Sequence, residues 1–245
     1  MTNMQIGGIQ GATLAEPNDA RLLASLLGTE NAVILTALIA DTDSPVLVLE
    51  PSGKIAFAND LALTLINSAG GPILGRNYQE FYPIDFANER LTFVRNVATT
   101  GKSVALDGMV NGSWNRTVMR RVIGPGGSPL VLMVFTAGSR SLRTPSDSTE
   151  VIRGAVDDQG SLSTLTHRET EILKLIGDGL STADIARELH RSVKTIEWHR
   201  VSLGTKLKAT NRVELARIAI QAGLSKLPNA MVARVETRPL VATVA

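Results

Sequence analysis

The chain of 245 residues contains no cysteine, which excludes a disulfide, a thiolate metal site and a cysteine nucleophile. It has three histidines, His167, His190 and His199. None has a second ligand at metal spacing, and none lies in the first 160 residues. No Gly-x-Ser-x-Gly elbow presents a serine. No run approaches the ~20 apolar residues that span a bilayer; the longest is Ala32 to Ala40. No basic-then-apolar leader opens the chain. These absences predict a cytoplasmic protein that does not use a membrane and is not an enzyme. Acids are unevenly scarce. Residues 161–245 hold thirteen Lys or Arg against eight Asp or Glu, a net of +5, whereas residues 1–160 hold twelve against fifteen, a net of −3. The two parts have different work, and the basic one suits a nucleic acid.

What that basic part contains is a succession of four helix starts. Thr166-His167-Arg168-Glu169 and Asn211-Arg212-Val213-Glu214 both have the form of a capping box, in which the cap side chain accepts from the third residue on and the Glu reaches back. Ser181 and Ser192 supply caps for two helices between them. Ile172, Leu173, Ile176 and Leu180 give the first helix one stripe, and Gly179 stands where a left-handed stop is wanted. The second runs from about Thr182 to Leu189, the third from Val193 to Leu207, and the fourth from Arg212 to Ala222. Helix, glycine turn, short helix, tight turn, longer helix is the order of a helix-turn-helix, which places one helix in the major groove of DNA.

Turning the third helix at 100° per residue with Ile196 facing the core points Lys194, Trp198, Val201 and Thr205 outward, with Glu197 and Ser202 on the flanks. An indole and a valine on a solvated face are costly unless something covers them. From Arg191 to Arg212 there are six basic residues and one acid, Glu197, an imbalance that suits a phosphate backbone. Arg200, turned partly inward, is expected to pair with Glu169 or Glu171. His199 lies beside the inward stripe and reads as a structural core or phosphate-facing imidazole, not a metal ligand.

Leu165-Thr166-His167-Arg168-Glu169, Gly179-Leu180-Ser181, Asp184-Ile185-Ala186, Ser192-Val193-Lys194-Thr195-Ile196-Glu197-Trp198-His199 and Asn211-Arg212-Val213-Glu214-Leu215 resemble the LuxR-type DNA-binding domain of bacterial regulators over about sixty ungapped residues. The resemblance implies a four-helix domain that binds double-stranded promoter DNA as a homodimer, with RNA polymerase as a further partner. It implies the third helix as reader, the fourth as a dimer contact, and base contacts at Glu197, Trp198 and Val201. Lys194, Thr195, Lys206 and Lys208 are expected on phosphates, and Ser202 and Thr205 complete the expected interface. Glu197 departs from the Lys of several members and would accept from a cytosine amino group instead. Ser202 departs from the usual Asn. Gly204 lies inside the reader at a cost of roughly 1 kcal/mol relative to Ala.

The first part reads as mixed α/β, making the whole an α+β chain. Pro45-Val46-Leu47-Val48-Leu49 and Ile55-Ala56-Phe57-Ala58 form a hairpin around Pro51-Ser52-Gly53-Lys54. Asn59 or Asp60 caps a helix from Leu61 to Asn67, and a longer helix covers about Ala87 to Thr99. Strands follow over Ser103–Met109, Trp114–Ile123 and Leu130–Thr136. The segment Glu50-Pro51-Ser52-Gly53-Lys54-Ile55-Ala56-Phe57-Ala58-Asn59 and this order of elements resemble a PAS domain, which implies an antiparallel sheet with helices on one face, a sensor pocket and a dimer surface. Gly75-Arg76-Asn77-Tyr78-Gln79-Glu80-Phe81 is similar to the flavin photosensor branch, but Tyr78 stands where the adduct-forming cysteine would be, and no histidine is present for haem. No cofactor is therefore expected, and a noncovalent ligand is left unidentified. Arg116, Arg120 and Arg121 read as an ordinary solvated or self-paired set, with an anion site as the lesser alternative.

The expected organisation is an N-terminal helical extension at 1–40, a PAS-like domain at 41–137, a linker at 138–163 with Val151-Ile152-Arg153 as a brief ordered piece, the helix-turn-helix at 164–226 and a tail at 227–245. The extension, with Leu22, Leu23, Leu26, Leu27, Val33, Ile34 and Leu38, would pack on the sheet or its symmetry mate, since it lacks the basic residues of a membrane-surface helix. The reading is a signal-coupled transcriptional regulator. The alternative is a small-molecule-binding or catalytic PAS protein whose helical module docks a protein partner.

Overall fold

The computed structural model describes residues 25, 39, 44–66, 72–138 and 149–225. Most of the N-terminal extension, Asn67, residues 139–148 of the expected linker and the tail from 226 lie outside the described residues.

The first hairpin is where the sequence places it. β1 (Val46–Leu49) is buried on both faces and pairs antiparallel with β2 (Ile55–Ala58). Asn59 closes the unit. Its Oδ1 accepts from Val46 N at 2.9 Å and from Ala62 N at 3.0 Å, and its Nδ2 donates to Ser44 O. One buried amide therefore both registers β1 and caps α1 (Asp60–Ile66). A single 3-10 turn at Tyr78–Glu80, with a capping box from Asn77, leads to α2 (Ile84–Thr100). α2 begins three residues before the expected start, behind Pro83, and ends at left-handed Gly101.

β3 (Val104–Val110), β4 (Ser113–Ile123) and β5 (Pro129–Ala137) form the expected meander. Asn111 and Gly112, with φ of 47° and 75°, make the two-residue turn between the first two. The sheet order is β2-β1-β5-β4-β3-β6. Its first five strands are antiparallel neighbours, with α1 and α2 inserted in the chain between β2 and β3. This is the layout that the PAS resemblance implies. The sixth strand, β6 (Glu150–Arg153), comes from the expected linker and pairs parallel with β3.

α2 lays Phe86, Leu91, Val94 and Val97 on Leu47, Leu106, Met119, Met133 and Phe135 to make the main core. A smaller cluster on the other side of the sheet joins Val46, Val48, Phe57 and Leu130 to Ile39, the one described residue of the extension within it.

The helical part comprises α3 (His167–Gly177), α4 (Thr182–Glu188), α5 (Val193–Leu207) and α6 (Arg212–Gln221). Together they enclose a second core of Ile172, Leu173, Ile176, Ile185, Ile196, Leu203, Leu215 and Ala219. Thr166 and Glu169 form the full capping box expected. At α6 only half of the expected box exists: Asn211 accepts from Glu214 N, but the Glu214 carboxylate accepts from Thr210 N and Oγ1 instead of Asn211 N. Gly177 lets α3 and α6 touch, since a Cβ there would lie 2.6 Å from Ala219 Cβ.

Candidate nucleic-acid interface

α5 starts at Ser192, whose Oγ accepts from Thr195 N at 3.1 Å and lies 2.8 Å from Thr195 Oγ1. Its inward residues Ile196, Leu203 and Leu207 are buried. Because these sit on one side, the opposite side must face out, and it does so without cover from the other described residues. Trp198 is 70% exposed and Val201 71%. Lys194, Thr195, Glu197, Thr205 and Lys208 are exposed with them. Val193, 45% exposed at the first position of the helix, joins this surface. Sequence reasoning passed over it, although its spacing of four from Glu197 and eight from Val201 puts it on the same arc.

Two expected interface residues are engaged elsewhere. Ser202 Oγ donates to Glu169 Oε1 at 2.7 Å, and Lys206 Nζ donates to Glu169 Oε2 at 2.6 Å and to Thr164 O at 3.1 Å. Glu169 is 3% exposed. Burial raises the Glu169 carboxyl, but the hydrogen bonds from Lys206, Ser202 and Thr166 more than offset this and bring its pKa down to about 2. The physical reason is reach: positions 202 and 206 are one turn apart on the flank that faces the start of α3, where an ionised carboxylate is already fixed by its cap.

Arg200 also differs from expectation. Its Nη1 donates to Thr182 Oγ1 at 3.1 Å, while Glu171 pairs with Arg168 and Glu169 with Lys206. Arg212 donates to Leu180 O at 2.7 Å and so ties α6 to the turn after α3. His199 is half-buried, edge-on to Trp198 at 5.6 Å between ring centroids. Of the six bases between 191 and 212, Arg200, Lys206 and Arg212 thus serve the fold. Arg191, Lys194 and Lys208 make no ion pair among the described residues. Lys208 itself takes a left-handed φ of 54° as the cap of α5, which turns the chain sharply beside the exposed face. A groove follows, lined by Glu197, Val201, Thr205, Lys208, Thr210 and Asn211.

In the sheet domain the strand arginines are committed internally. Arg116 makes a two-pronged pair with Asp107, at 2.7 and 2.8 Å, which raises the guanidinium pKa through that hydrogen bonding. Arg121 Nη1 reaches Ala98 O and Thr99 O at the C-terminal end of α2. Tyr78 and Tyr82 are buried in the core, and burial pushes both phenols upward. Their hydroxyls have no hydrogen-bond partner among the described residues. No group of three or more metal-ligating side chains occurs among the described residues.

Residues 163–219 match the family model of bacterial regulatory proteins, luxR family, and the four-helix unit is a domain of that kind. The chain is 43% identical over 60 residues to an uncharacterised response regulatory protein, YgeK, of Escherichia coli, a match that covers 24% of this chain and 41% of that protein. It is 29% identical over 125 residues to the transcriptional regulatory protein FixJ of Azorhizobium caulinodans, covering 44% of this chain and 59% of the other. The chain therefore spans less than two thirds of the length of these curated relatives. Among solved structures, a phage VqmA in complex with DPO is 20% identical, with a TM-score of 0.41, over 83% of this chain and 96% of that one.

Proposed function

We propose that this protein is a DNA-binding transcriptional regulator in which the sheet domain receives a signal and the helix-turn-helix reads a promoter. The observation that carries the reading is the exposed indole of Trp198 beside Val201, on a helix whose opposite face is core, inside the LuxR-family match. Lys194, Thr195 and Lys208 fix register on phosphates, and Glu197, Trp198, Val201 and Thr205 meet base edges. Ser202 and Lys206 hold the reader in place from behind. A homodimer on DNA, contact with RNA polymerase at the promoter and a cytoplasmic location belong to the same reading. It is consistent with the finding that no described helix is long and apolar enough to cross a membrane.

The test is selection of bound fragments from random duplex DNA, followed by a salt titration. Lys208→Ala should weaken all sequences alike and lower the log–log salt slope by about 0.9. Trp198→Ala should instead reduce discrimination between sites, by roughly 1–3 kcal/mol at the affected base pair. No measurable binding to any oligonucleotide at low ionic strength would overturn the reading.

A further inference from the structure

The segment between the domains is clipped to the sheet at many points. β6 pairs with β3 from Val104↔Glu150 to Asp107↔Arg153. Gly154 N donates to Asp107 O at 2.9 Å. The Glu89 carboxylate of α2 accepts from Ala155 N at 2.6 Å and from Val156 N at 3.2 Å. Its neighbour Arg90, 2% exposed, pairs with Glu89 at 2.6 Å and donates to Val156 O at 3.4 Å. A Cβ on Gly154 would lie 2.7 Å from the Arg90 guanidinium, so the segment passes α2 as closely as glycine permits. Asp157 Oδ1 then accepts from Met109 N, and Asp158 Oδ2 accepts from Asn111 N, both at 2.8 Å. Gly112 N donates to Asp158 O.

The other end is fastened to the helix-turn-helix. Leu162, in the 3-10 turn Gly160–Thr164, packs on the helical core and reaches to within 3.5 Å of a Cβ placed on Gly112. Thr164 O accepts from Lys206 Nζ of the reader helix at 3.1 Å. At the sheet-domain end, Arg90 lies over the Phe86 ring at 4.4 Å. Phe86 packs on Tyr82 at 5.2 Å, and Tyr82 on Tyr78 at 4.7 Å.

We propose that residues 149–164 are a stiff strap coupling the two domains, held by Glu89, Arg90, Asp157 and Asp158 at one end and by Leu162 and Lys206 at the other. A rearrangement of the Tyr78–Tyr82–Phe86–Arg90 stack is thereby passed to the reader helix. A flexible linker would transmit nothing of the kind, because two domains joined only by a random coil bias each other's orientation weakly. Here most clips are a backbone amide or carbonyl on a charged side chain or on a strand. Lys206 joins the strap's last carbonyl to the same helix that carries Trp198. The DNA-dependent part of this proposal rests on the regulator reading above.

The test uses the full chain with Gly154→Ala and Asp158→Ala, which loosen the strap at two points and leave every residue of α5 intact. Amide exchange over 150–164 should rise by about tenfold or more, with β4 and β5 protected as in the wild type. Affinity for a random-sequence duplex at low ionic strength should then move by about fivefold or more, and saturating the wild type with that duplex should change exchange over 154–164. Phe86→Leu, which removes the ring beneath Arg90, should raise exchange at Ala155 and Val156 as well. A loosened strap with unchanged affinity overturns the coupling, and so does a Phe86→Leu strap that exchanges like the wild type. Where Asp158→Ala opens the whole sheet, Leu162→Ala loosens the other end instead and should move the affinity likewise; unchanged affinity in that variant overturns the coupling too. If the wild-type chain binds no duplex, the regulator reading falls, and small-angle scattering decides the strap by itself. A longer maximum dimension in the loosened variants supports it, and an unchanged profile overturns it.

Discussion

Lys206 Nζ lies 2.6 Å from Glu169 Oε2, which joins the last turn of α5 to the first turn of α3. A lysine expected on a phosphate is thus paired within the fold. Lys206→Ala leaves a nearly buried carboxylate without its cation, and a loss of roughly 1–3 kcal/mol of stability is expected. Denaturant unfolding measures it. The same variant should leave the salt slope of DNA binding close to the wild-type value, in contrast to Lys208→Ala; an equal drop in both would mean that Lys206 also reaches the backbone.

The same carboxylate makes acid sensitivity specific. Glu169 titrates at about 2 in the fold against an ordinary value of 4.5. A depressed carboxylate contributes stability that is fully present above its unfolded pKa and is lost as pH falls through its folded one. The contribution should therefore be whole above about pH 4.5 and fade toward pH 2. Glu169→Gln lacks it throughout. The stability gap between wild type and variant, followed by unfolding at successive pH values, should be widest near neutrality and should close across that window. A gap that stays constant down to pH 2 would contradict the assignment.

Gly204 sets two effects of opposite sign against each other. Helix propensity alone says that Gly204→Ala should stabilise α5 by roughly 1 kcal/mol. Yet a Cβ there would lie 2.8 Å from Ala209 O, whose own residue donates from N to Gly204 O at 2.9 Å. The neighbour is backbone fixed by the left-handed cap at Lys208, so it cannot swing aside as a side chain could. The steric effect should win, with a net destabilisation of roughly 1–3 kcal/mol seen as a lower thermal midpoint.

How far the sequence reached follows from what each signal depends on. Caps and apolar stripes are local, and so the ends of α3 to α6 and the outward arc of Trp198, Val201 and Thr205 were legible from periodicity. Partners of long polar side chains depend on which helices cross. Nothing local in Ser202 or Lys206 says that Glu169, more than thirty residues earlier, will stand beside them. Arg200 illustrates the same point: its inward tilt was readable, but its partner, Thr182, was not. β6 was legible only as a brief ordered piece at Val151-Ile152-Arg153, for a different reason. A four-residue parallel edge strand has too few residues to show alternation, and the bonds that follow it, from Met109 N of β3 to Asp157 and from Asn111 N of the β3–β4 turn to Asp158, join residues more than forty apart.

Asn59 separates a helix cap from a sheet contact within one side chain. Losing the cap on α1 alone would cost about 1 kcal/mol. Asn59→Ala also strands Val46 N, which is buried and has Asn59 Oδ1 as its acceptor at 2.9 Å. An orphaned amide adds roughly 1–3 kcal/mol, so the combined loss should be roughly 2–4 kcal/mol. Asn59→Asp keeps an oxygen for Val46 N and Ala62 N but gives up the donor to Ser44 O, and should fall between the two. Denaturant midpoints of the three proteins decide it. If Asn59→Ala costs no more than an ordinary cap, the side chain is not what holds β1 in register.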